Sequence, residues 1–209
     1  MRALIETLHE WLDEGGCEIG EIAIVRAGGA FELCHRADFG RADLRREMGA
    51  AAARGIATYD EGGCFRPLKT APNLRRGWKL RVADIRELRR ALDFFYPAML
   101  GVWISHGAGA LVPVPLRTTL GRQTGMYRVT QKLTDDQAQK LIGEFCRSDG
   151  GCLKHILWRI APELPIQSLP AEKLHPPQAG AALPLLCHEA CNLLVAQART
   201  VVKKSESTT

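Results

Sequence analysis

Four of the seven cysteines in this chain fall into two short clusters near its C-terminal end. The first cluster, CRSDGGC, contains Cys146 and Cys152, and the second, CHEAC, contains Cys187 and Cys191. Thiolates bind iron–sulfur clusters and structural zinc, and four thiolates are the usual ligand set of a [4Fe–4S] or [2Fe–2S] cluster. The two pairs are therefore the first candidates for a metal centre.

Spacing alone leaves three explanations of these cysteines open. An iron–sulfur cluster would use all four thiolates. Tetrahedral zinc would also use four, but structural zinc pairs usually lie two to four residues apart on a knuckle or ribbon, and the first spacing here is wider. The third explanation is simple burial, because free cysteine is among the most buried residue types.

The first pair flanks a glycine turn between two predicted helices. Thr134 and Gln137 have the spacing of a capping box, so a helix should begin there and place Cys146 in its last turn. After the turn, CLKHILW is predicted to form a short helix with Cys152 in its first turn. A helix N-terminus favours a thiolate, and Lys154 in the same segment would add positive charge beside a cluster.

The second pair is predicted to lie on one helical face. A polar, proline-rich linker over residues 161–182 precedes a last helix that is expected to begin near Pro184. The spacing of Cys187 and Cys191 corresponds to i and i+4, which puts both sulfurs on the same side of such a helix. Residues 204–209 are predicted to form a disordered tail.

The pattern predicts an α+β protein. Residues 1–130 form its N-terminal part, with helices and antiparallel hairpins, and residues 131–203 form an all-helical, cysteine-bearing part. Apolar residues at helical spacing predict helices over 2–14 and 83–96, and Gly28-Gly29 between alternating segments predicts a hairpin. We also expect a helix in FGRADLRREMGAAAAR and strand structure in VWISHGAGALVPVPL.

Two further segments could bind an anionic ligand. The first is a basic cluster in which Arg75 and Arg76 are the main candidates; it comprises Arg66, Lys69, Arg75, Arg76, Lys79 and Arg81. It could receive the carboxylates of a tetrapyrrole, a phosphate or an RNA backbone, or it could be a solvated loop paired with acidic neighbours. The second segment could line a ligand pocket or support the cluster, or it could form a hydrogen-bonded loop between domains. It comprises Arg117, Arg122, Gln123, Thr124, Tyr127 and Arg128.

Composition limits the classes of function. A chain of 209 residues with 46% apolar residues can bury a sizeable core, and a net charge of +5 is too modest for a dedicated nucleic-acid binder. The N-terminal sequence lacks the pattern of a signal peptide, and no apolar run reaches the length of a membrane span. We therefore expect a cytoplasmic protein with reduced thiols and no membrane partner. The sequence contains no P-loop, GxGxxG, HExxH or GxSxG motif.

The chain resembles a known family in three C-terminal runs, PLRTTLGRQTGMYRVTQKL, CRSDGGCLKHILW and PLLCHEACNLLVAQAR. They are similar to the iron–sulfur domain attached to some sirohydrochlorin or cobalt chelatase-like proteins. The preceding RPLKTAPNLRRGWKL and ALDFFYPAMLG resemble the stabilising domain that accompanies it. The resemblance implies a [4Fe–4S] cluster on the two cysteine pairs. It does not extend to a chelatase domain, so it does not imply chelatase activity.

These features lead to two hypotheses of function. The first is an electron-transfer or accessory protein with a [4Fe–4S] cluster, linked by resemblance to tetrapyrrole, cobalamin or siroheme metabolism. Its partner would be a redox protein or a chelatase-like protein. The alternative is a non-redox scaffold, stabilised by zinc or by a cluster, that presents basic loops to an anionic partner.

Overall fold

The computed structural model describes residues 2–107, 110–113, 115–146, 152–160, 182–183, 185–187 and 190–207. The chain packs as two compact units. The N unit consists of Met1–Ala110 and Pro162–Leu185, and the C unit of Leu111–Ala161 and Leu186–Thr209. The glycine turn at 147–151 and the predicted linker up to residue 181 lie outside the described residues. Within the described part, no helix is long and apolar enough to cross a membrane.

The N unit contains a six-stranded mixed sheet with the strand order β4-β5-β3-β2-β1-β8. Its strands are β1 (Glu18–Ile19), β2 (Ile22–Ala27), β3 (Ala30–His35), β4 (Arg45–Met48), β5 (Trp78–Val82) and β8 (Ala182–Leu183). β2 and β3 form the hairpin predicted at Gly28-Gly29, where both glycines have the positive φ that such a turn requires. β4 pairs with β5 in parallel, as β1 does with β8.

In the described part of the N unit, four α-helices accompany the sheet: α1 (Arg2–Asp13), α2 (Ala50–Thr58), α3 (Ile85–Phe95) and α4 (Met99–Gly107). α3 begins at Asp84, whose carboxylate accepts hydrogen bonds from the backbone N–H groups of Arg86 and Glu87. Its buried face packs on the sheet, where the Phe95 ring stacks on Trp78 with a centroid distance of 5.3 Å. The apolar faces of these helices and strands form the core of the N unit.

Two segments of the N unit differ from the sequence prediction. FGRADLRREMGAAAAR is helical only from Ala50, because β4 pairs with β5 and Gly49 adopts a φ of 75° between strand and helix. The stretch VWISHG, residues 102–107, belongs to α4 and not to a strand. A mainly apolar run fits a buried helix as well as a buried strand, and Trp103 of α4 is buried against Trp11 of α1.

The C unit combines helices with a small sheet. Its helices are α5 (Leu116–Leu120), a 3-10 helix (Gly125–Lys132), α6 (Asp135–Phe145) and α7 (Asn192–Ser207). Its strands β6 (Leu111–Pro113), β7 (Lys154–Ile160) and β9 (Leu185–Cys187) form a three-stranded sheet. The apolar core of the C unit, called the C core below, is formed by Leu116, Leu120, Leu133, Ala138, Leu141, Leu194, Val195, Ala198 and Val202.

The α+β class is confirmed, and helices predominate in the later part of the chain. The C-terminal part is not entirely helical, however, because CLKHILW continues into β7 and pairs with β6. The last helix begins at Asn192 and not near Pro184, which lies outside the described residues. It continues to Ser207, so residues 204–207 are helical where a disordered tail was expected, and Lys132 forms an ion pair with Glu206 there.

The packing units and the predicted domains divide the chain differently. The first segment of the N unit ends at Ala110, and the N unit also includes the later segment Pro162–Leu185. Packing units of this kind are defined by contacts, whereas a domain is a segment that can fold alone. The domains proposed from the sequence, 1–130 and 131–203, stay predictions that limited proteolysis can test.

Candidate metal centre

Cys146 lies at the C-terminal end of α6. Thr134 and Gln137 form the predicted capping box: the Gln137 N–H donates to Thr134 Oγ1, and the Thr134 N–H donates to Gln137 Oε1. The helix ends at Cys146, whose N–H donates to the Ile142 carbonyl over 3.0 Å. Its partly buried side chain packs against the C core. The capping box thus fixes the start of the helix that carries this thiol at its end.

Cys187 and Cys191 lie on either side of the connection between β9 and α7. Cys187 is the last residue of β9, and Cys191 directly precedes α7, where its carbonyl accepts the Val195 N–H over 3.0 Å. The pair was predicted to share one helical face, but the helix starts only after Cys191. Both side chains nevertheless pack against the C core, together with Cys146.

Cys152 is the most buried of the four candidate ligands. Its exposed fraction is 4%, and the adjacent Leu153 is 3% exposed. It lies two residues before β7, outside any helix or strand, and not in the first turn of a helix as predicted. In β9, the strand next to β7 in the sheet of the C unit, Leu186 precedes Cys187 and is 2% exposed. Buried leucines next to two of the thiols would limit the access of water to a cluster.

The donor set fits an iron–sulfur cluster in its chemistry and its location. All four thiols belong to the C unit, and three of them pack against one core. No disulfide joins the described cysteines. Among the described His, Cys, Asp and Glu residues, no group of three is arranged as a ready metal site. The assignment of Cys146, Cys152, Cys187 and Cys191 as ligands therefore stays a prediction.

The charge near α7 also suits an anionic cluster. The first turn of α7 contains no acidic residue, so its N-terminal N–H groups and helix dipole face no competing carboxylate of that turn. Cys191 lies at this end of the helix. Lys154 opens β7 two residues after Cys152, as the sequence places it, but its side chain lies outside the described part of the structure.

The three remaining cysteines lie in the N unit and have different surroundings. Cys34 is buried in β3, and burial raises the pKa of its thiol above the ordinary value of 9.0. Cys64 is exposed in the turn between Tyr59 and Phe65. Cys17 is half-buried and lines a depression of about 400 Å³ together with Leu12 and Phe39. These thiols occur singly, as the sequence indicated.

The predicted basic cluster separates into a structural and an exposed part. Lys79 and Arg81 both form ion pairs with Glu32 of the neighbouring strand. Lys69 Nζ donates to the Ala57 carbonyl over 2.7 Å, and burial next to Arg66 lowers the pKa of Lys69. These three side chains therefore have structural partners, as the solvated-loop interpretation expected.

Arg66 is only 1% exposed and organises the loop that follows it. Its guanidinium donates to Asn73 Oδ1 over 2.9 Å and to the carbonyls of Lys69 and Ala71 over 3.0 and 3.1 Å. Its Nη2 lies 3.8 Å from Glu21 Oε2. Burial lowers the pKa of Arg66, while the Glu21 carboxylate opposes that shift. Arg66 is a structural residue and not a ligand-binding one.

Glu21 is the acidic centre of this buried network. Its Oε2 accepts the Leu74 N–H over 3.1 Å, which anchors the basic loop to the sheet. Its Oε1 lies 3.2 Å from His35 Nε2, and because His35 Nδ1 accepts the Ala37 N–H, Nε2 is the donor to Glu21. The backbone N–H of Glu21 donates to Tyr96 Oη over 2.7 Å.

Arg76, which is exposed, and Arg75, which is half-buried, form the outer part of the basic cluster. Neither forms an ion pair within the described residues, and Arg75 Nε has no hydrogen-bond partner there. They line an open depression of about 540 Å³ whose other walls are Tyr59, Asp60, Glu61 and Gly63. The structure thus brings the two predicted arginines to one depression, which the carboxylate residues Asp60 and Glu61 also line.

The second polar segment forms an exposed surface of the C unit. Arg122, Thr124 and Arg128 are exposed, and Tyr127 retains 40% exposure. The Gln123 carbonyl accepts a hydrogen bond from Gln131 Nε2 over 3.3 Å, which closes the loop onto the 3-10 helix. Two residues that the sequence did not single out are Met126 and Arg199: the Arg199 guanidinium lies over the Tyr127 ring and contacts Met126 Sδ. An interior pocket formed by this segment stays a prediction.

Comparisons with known proteins find two matched regions that meet near Ala110, where the first segment of the N unit ends. Residues 5–107 match the DR2241 stabilising domain, and residues 108–200 match a 4Fe-4S iron-sulfur cluster binding domain. Among curated proteins, none matches this chain. One solved structure, DR2241 from Deinococcus radiodurans, is similar with a TM-score of 0.71 and 29% identity over 98% of this chain.

That structure is described as a multi-domain protein with structural similarity to chelatases and with two additional novel domains. The present chain spans 42% of its length. The two matched regions follow one another without a gap and cover nearly the whole chain. Over nearly its whole length, the chain therefore matches a DR2241 stabilising domain followed by a 4Fe-4S iron-sulfur cluster binding domain.

Proposed function

We propose that this protein is an accessory electron-transfer protein whose [4Fe–4S] cluster is held by Cys146, Cys152, Cys187 and Cys191. The observation that carries the proposal is the common packing of three of these thiols on the C core, with the fourth buried in the same unit. When bound, such a cluster supplies a one-electron redox centre.

The protein's own groups would hold and shield this centre. Cys146 and Cys191 are attached to helices by backbone hydrogen bonds, which limits the movement of both ligands. The first turn of α7 would stabilise the negative charge of four thiolates through its N–H groups and dipole. Leu153 and Leu186 are buried next to two of the ligands and would keep water away from them.

We further propose that the electron acceptor or donor is connected with a chelatase-like protein in tetrapyrrole metabolism. The support is that DR2241 combines similarity to chelatases with two additional domains, and that this chain spans 42% of DR2241. The reducing cytoplasm is the proposed location, because it keeps thiols available as ligands.

A second candidate function is a non-redox scaffold. The observation in its favour is the surface depression that Arg75 and Arg76 line in the N unit. Neither arginine forms an ion pair with another described residue. Arginine guanidinium groups suit the carboxylates of a tetrapyrrole or another anionic partner. Under this hypothesis a metal in the C unit would only stabilise the fold.

Reduction of the anaerobically purified protein separates the two functions. Dithionite should bleach the visible absorbance reversibly and produce an EPR signal that integrates to about one spin per chain, as expected for a one-electron cluster. Zinc has no redox chemistry and gives no such signal. A protein that contains stoichiometric zinc and does not change on reduction would support the scaffold and refute the electron-transfer proposal.

A further inference from the structure

One face of the C unit is both basic and partly apolar. It is formed by residues 122–131, which include the 3-10 helix, and by the α7 residues 192–203; together they are called the basic face below. Val129 of the 3-10 helix packs on the C core that Val195 and Val202 of α7 help to form. This packing leaves Met126 and Tyr127 at the surface, with exposed fractions of 64% and 40%.

Arg199 links the two segments of the basic face. Its guanidinium carbon lies 5.8 Å from the centroid of the Tyr127 ring, in cation–π geometry. Its Nη1 lies 3.5 Å from Met126 Sδ. Its Nε is buried without a hydrogen-bond partner among the described residues. The arginine is thus held against the 3-10 helix by weak contacts.

The charge of the basic face has a single sign. Its two segments contain no Asp or Glu, and their basic residues are Arg122, Arg128, Arg199 and Lys203. None of the four forms an ion pair within the described residues. At the margins of the face, by contrast, Arg117 pairs with Asp135 and Lys132 pairs with Glu206. Arg117 and Lys132 are therefore neutralised, whereas the four described basic groups of the basic face are not.

We infer that the basic face is the docking surface for an acidic one-electron carrier protein, an inference that rests on the proposed electron-transfer function. Tyr, Met and Arg are enriched at protein interfaces, whereas Asp and Glu are depleted, and complementary charge accelerates the encounter. Arg199 follows Cys191 by eight residues, which is about 12 Å along α7. A docked carrier would therefore lie close to the proposed cluster.

The transfer itself needs no covalent chemistry. A reduced carrier, with its own cluster or flavin, would lose one electron, and a cluster held by the proposed cysteine ligands would supply the one-electron acceptor. No bond forms or breaks, and no proton is required for balance. The role of the basic face is to hold the carrier at this position for long enough and to release it afterwards, as a weak, salt-sensitive interface does.

Surface plasmon resonance on the full chain tests this inference, with a negatively charged, plant-type [2Fe–2S] ferredoxin as the probe. Affinity should fall at least about tenfold as salt rises, because charged contacts are screened. The double substitution Met126→Glu and Lys203→Glu, both at exposed positions, should weaken binding by about tenfold. The matched control is Arg46→Glu, an exposed arginine on β4 of the N unit, which should leave affinity unchanged.

Three results would overturn the inference: no binding of the ferredoxin, equal loss of affinity in the control, or tighter binding of a single-stranded oligonucleotide than of the ferredoxin. The redox proposal is judged separately by reduction with dithionite, which needs no docking. A protein that dithionite reduces but that does not bind the ferredoxin contradicts the basic face alone. A protein that binds the ferredoxin but holds no reducible centre contradicts the proposed function.

Discussion

Cys146 and Cys191 lie at the ends of two helices that pack on the same apolar core. Cys146 ends α6 and Cys191 precedes α7, and each takes part in a backbone hydrogen bond of 3.0 Å into its helix. Their positions are therefore fixed by helix packing more than by a loop. This relationship is the structural basis for treating the C unit as a scaffold for a cluster.

Substitution of the proposed ligands should remove the cluster. Cys152→Ser and Cys187→Ser each leave three thiolates, and serine is a poor ligand for iron, so iron and sulfide content should fall by more than about half. The measurement is iron and sulfide analysis with visible absorbance. Cys17→Ser and Cys64→Ser in the N unit are the matched controls and should retain the full content. Equal loss in all four variants would show that the ligand assignment is wrong.

Removal of the capping box should weaken the C unit. Thr134→Ala deprives the Gln137 N–H of its acceptor and should lower the free energy of unfolding by about 1 kcal/mol. Urea denaturation of the apoprotein measures this change. Thr200→Ala is the control, since Thr200 is exposed on α7 and its hydroxyl bonds only to the Ala196 carbonyl of its own helix. A loss of the same size in both variants would contradict the role of the cap.

Arg66 should be essential for the stability of the N unit. Arg66→Met leaves Glu21 buried without its cationic neighbour and should cost about 3–5 kcal/mol, the usual penalty for breaking a buried ion pair. Arg76→Met, which removes an exposed arginine, should change the free energy of unfolding by less than about 0.5 kcal/mol. Chemical denaturation with both variants decides the point, and a neutral Arg66→Met would refute the structural role of the network.

Alkaline pH should destabilise the fold through Tyr96. Burial is the main cause that raises the pKa of Tyr96 above the ordinary value of 10.0. As pH rises, the unfolded chain therefore loses the phenolic proton before the folded chain does. The contribution to stability is therefore present below pH 10.0 and is lost as pH rises above it. Tyr96→Phe should flatten the fall in unfolding free energy above that pH.

The same substitution has a second effect at neutral pH. It leaves the Glu21 N–H without its acceptor and should cost about 1–3 kcal/mol. Unfolding free energies measured across the alkaline range, for the natural protein and for Tyr96→Phe, test both effects. Curves with the same alkaline slope would show that Tyr96 does not carry the pH dependence.

Local signals predicted those features that depend on neighbouring residues. The capping box at Thr134, the hairpin at Gly28-Gly29 and the helix from Ile85 to Phe95 are each specified by a short pattern and are confirmed. Features that depend on distant pairing were missed. β4 and β7 have helix-compatible sequences, and they become strands because β5 and β6 provide hydrogen-bonding partners.

The candidate site shows the same limit. The residue types and their grouping identified the four cysteines, but the i and i+4 spacing of Cys187 and Cys191 suggested a helix where β9 ends and α7 begins. The role of Arg66 was not visible in the sequence, because its partner Glu21 is distant along the chain. The basic face could have been found earlier from the absence of acidic residues in its two segments.

The central claim is that the C unit holds a [4Fe–4S] cluster, and metal and sulfide analysis of the anaerobically purified full chain tests it most directly. We predict about four iron and four acid-labile sulfide per chain. Stoichiometric zinc with no sulfide, or no metal at all in protein prepared without oxygen, would contradict the claim.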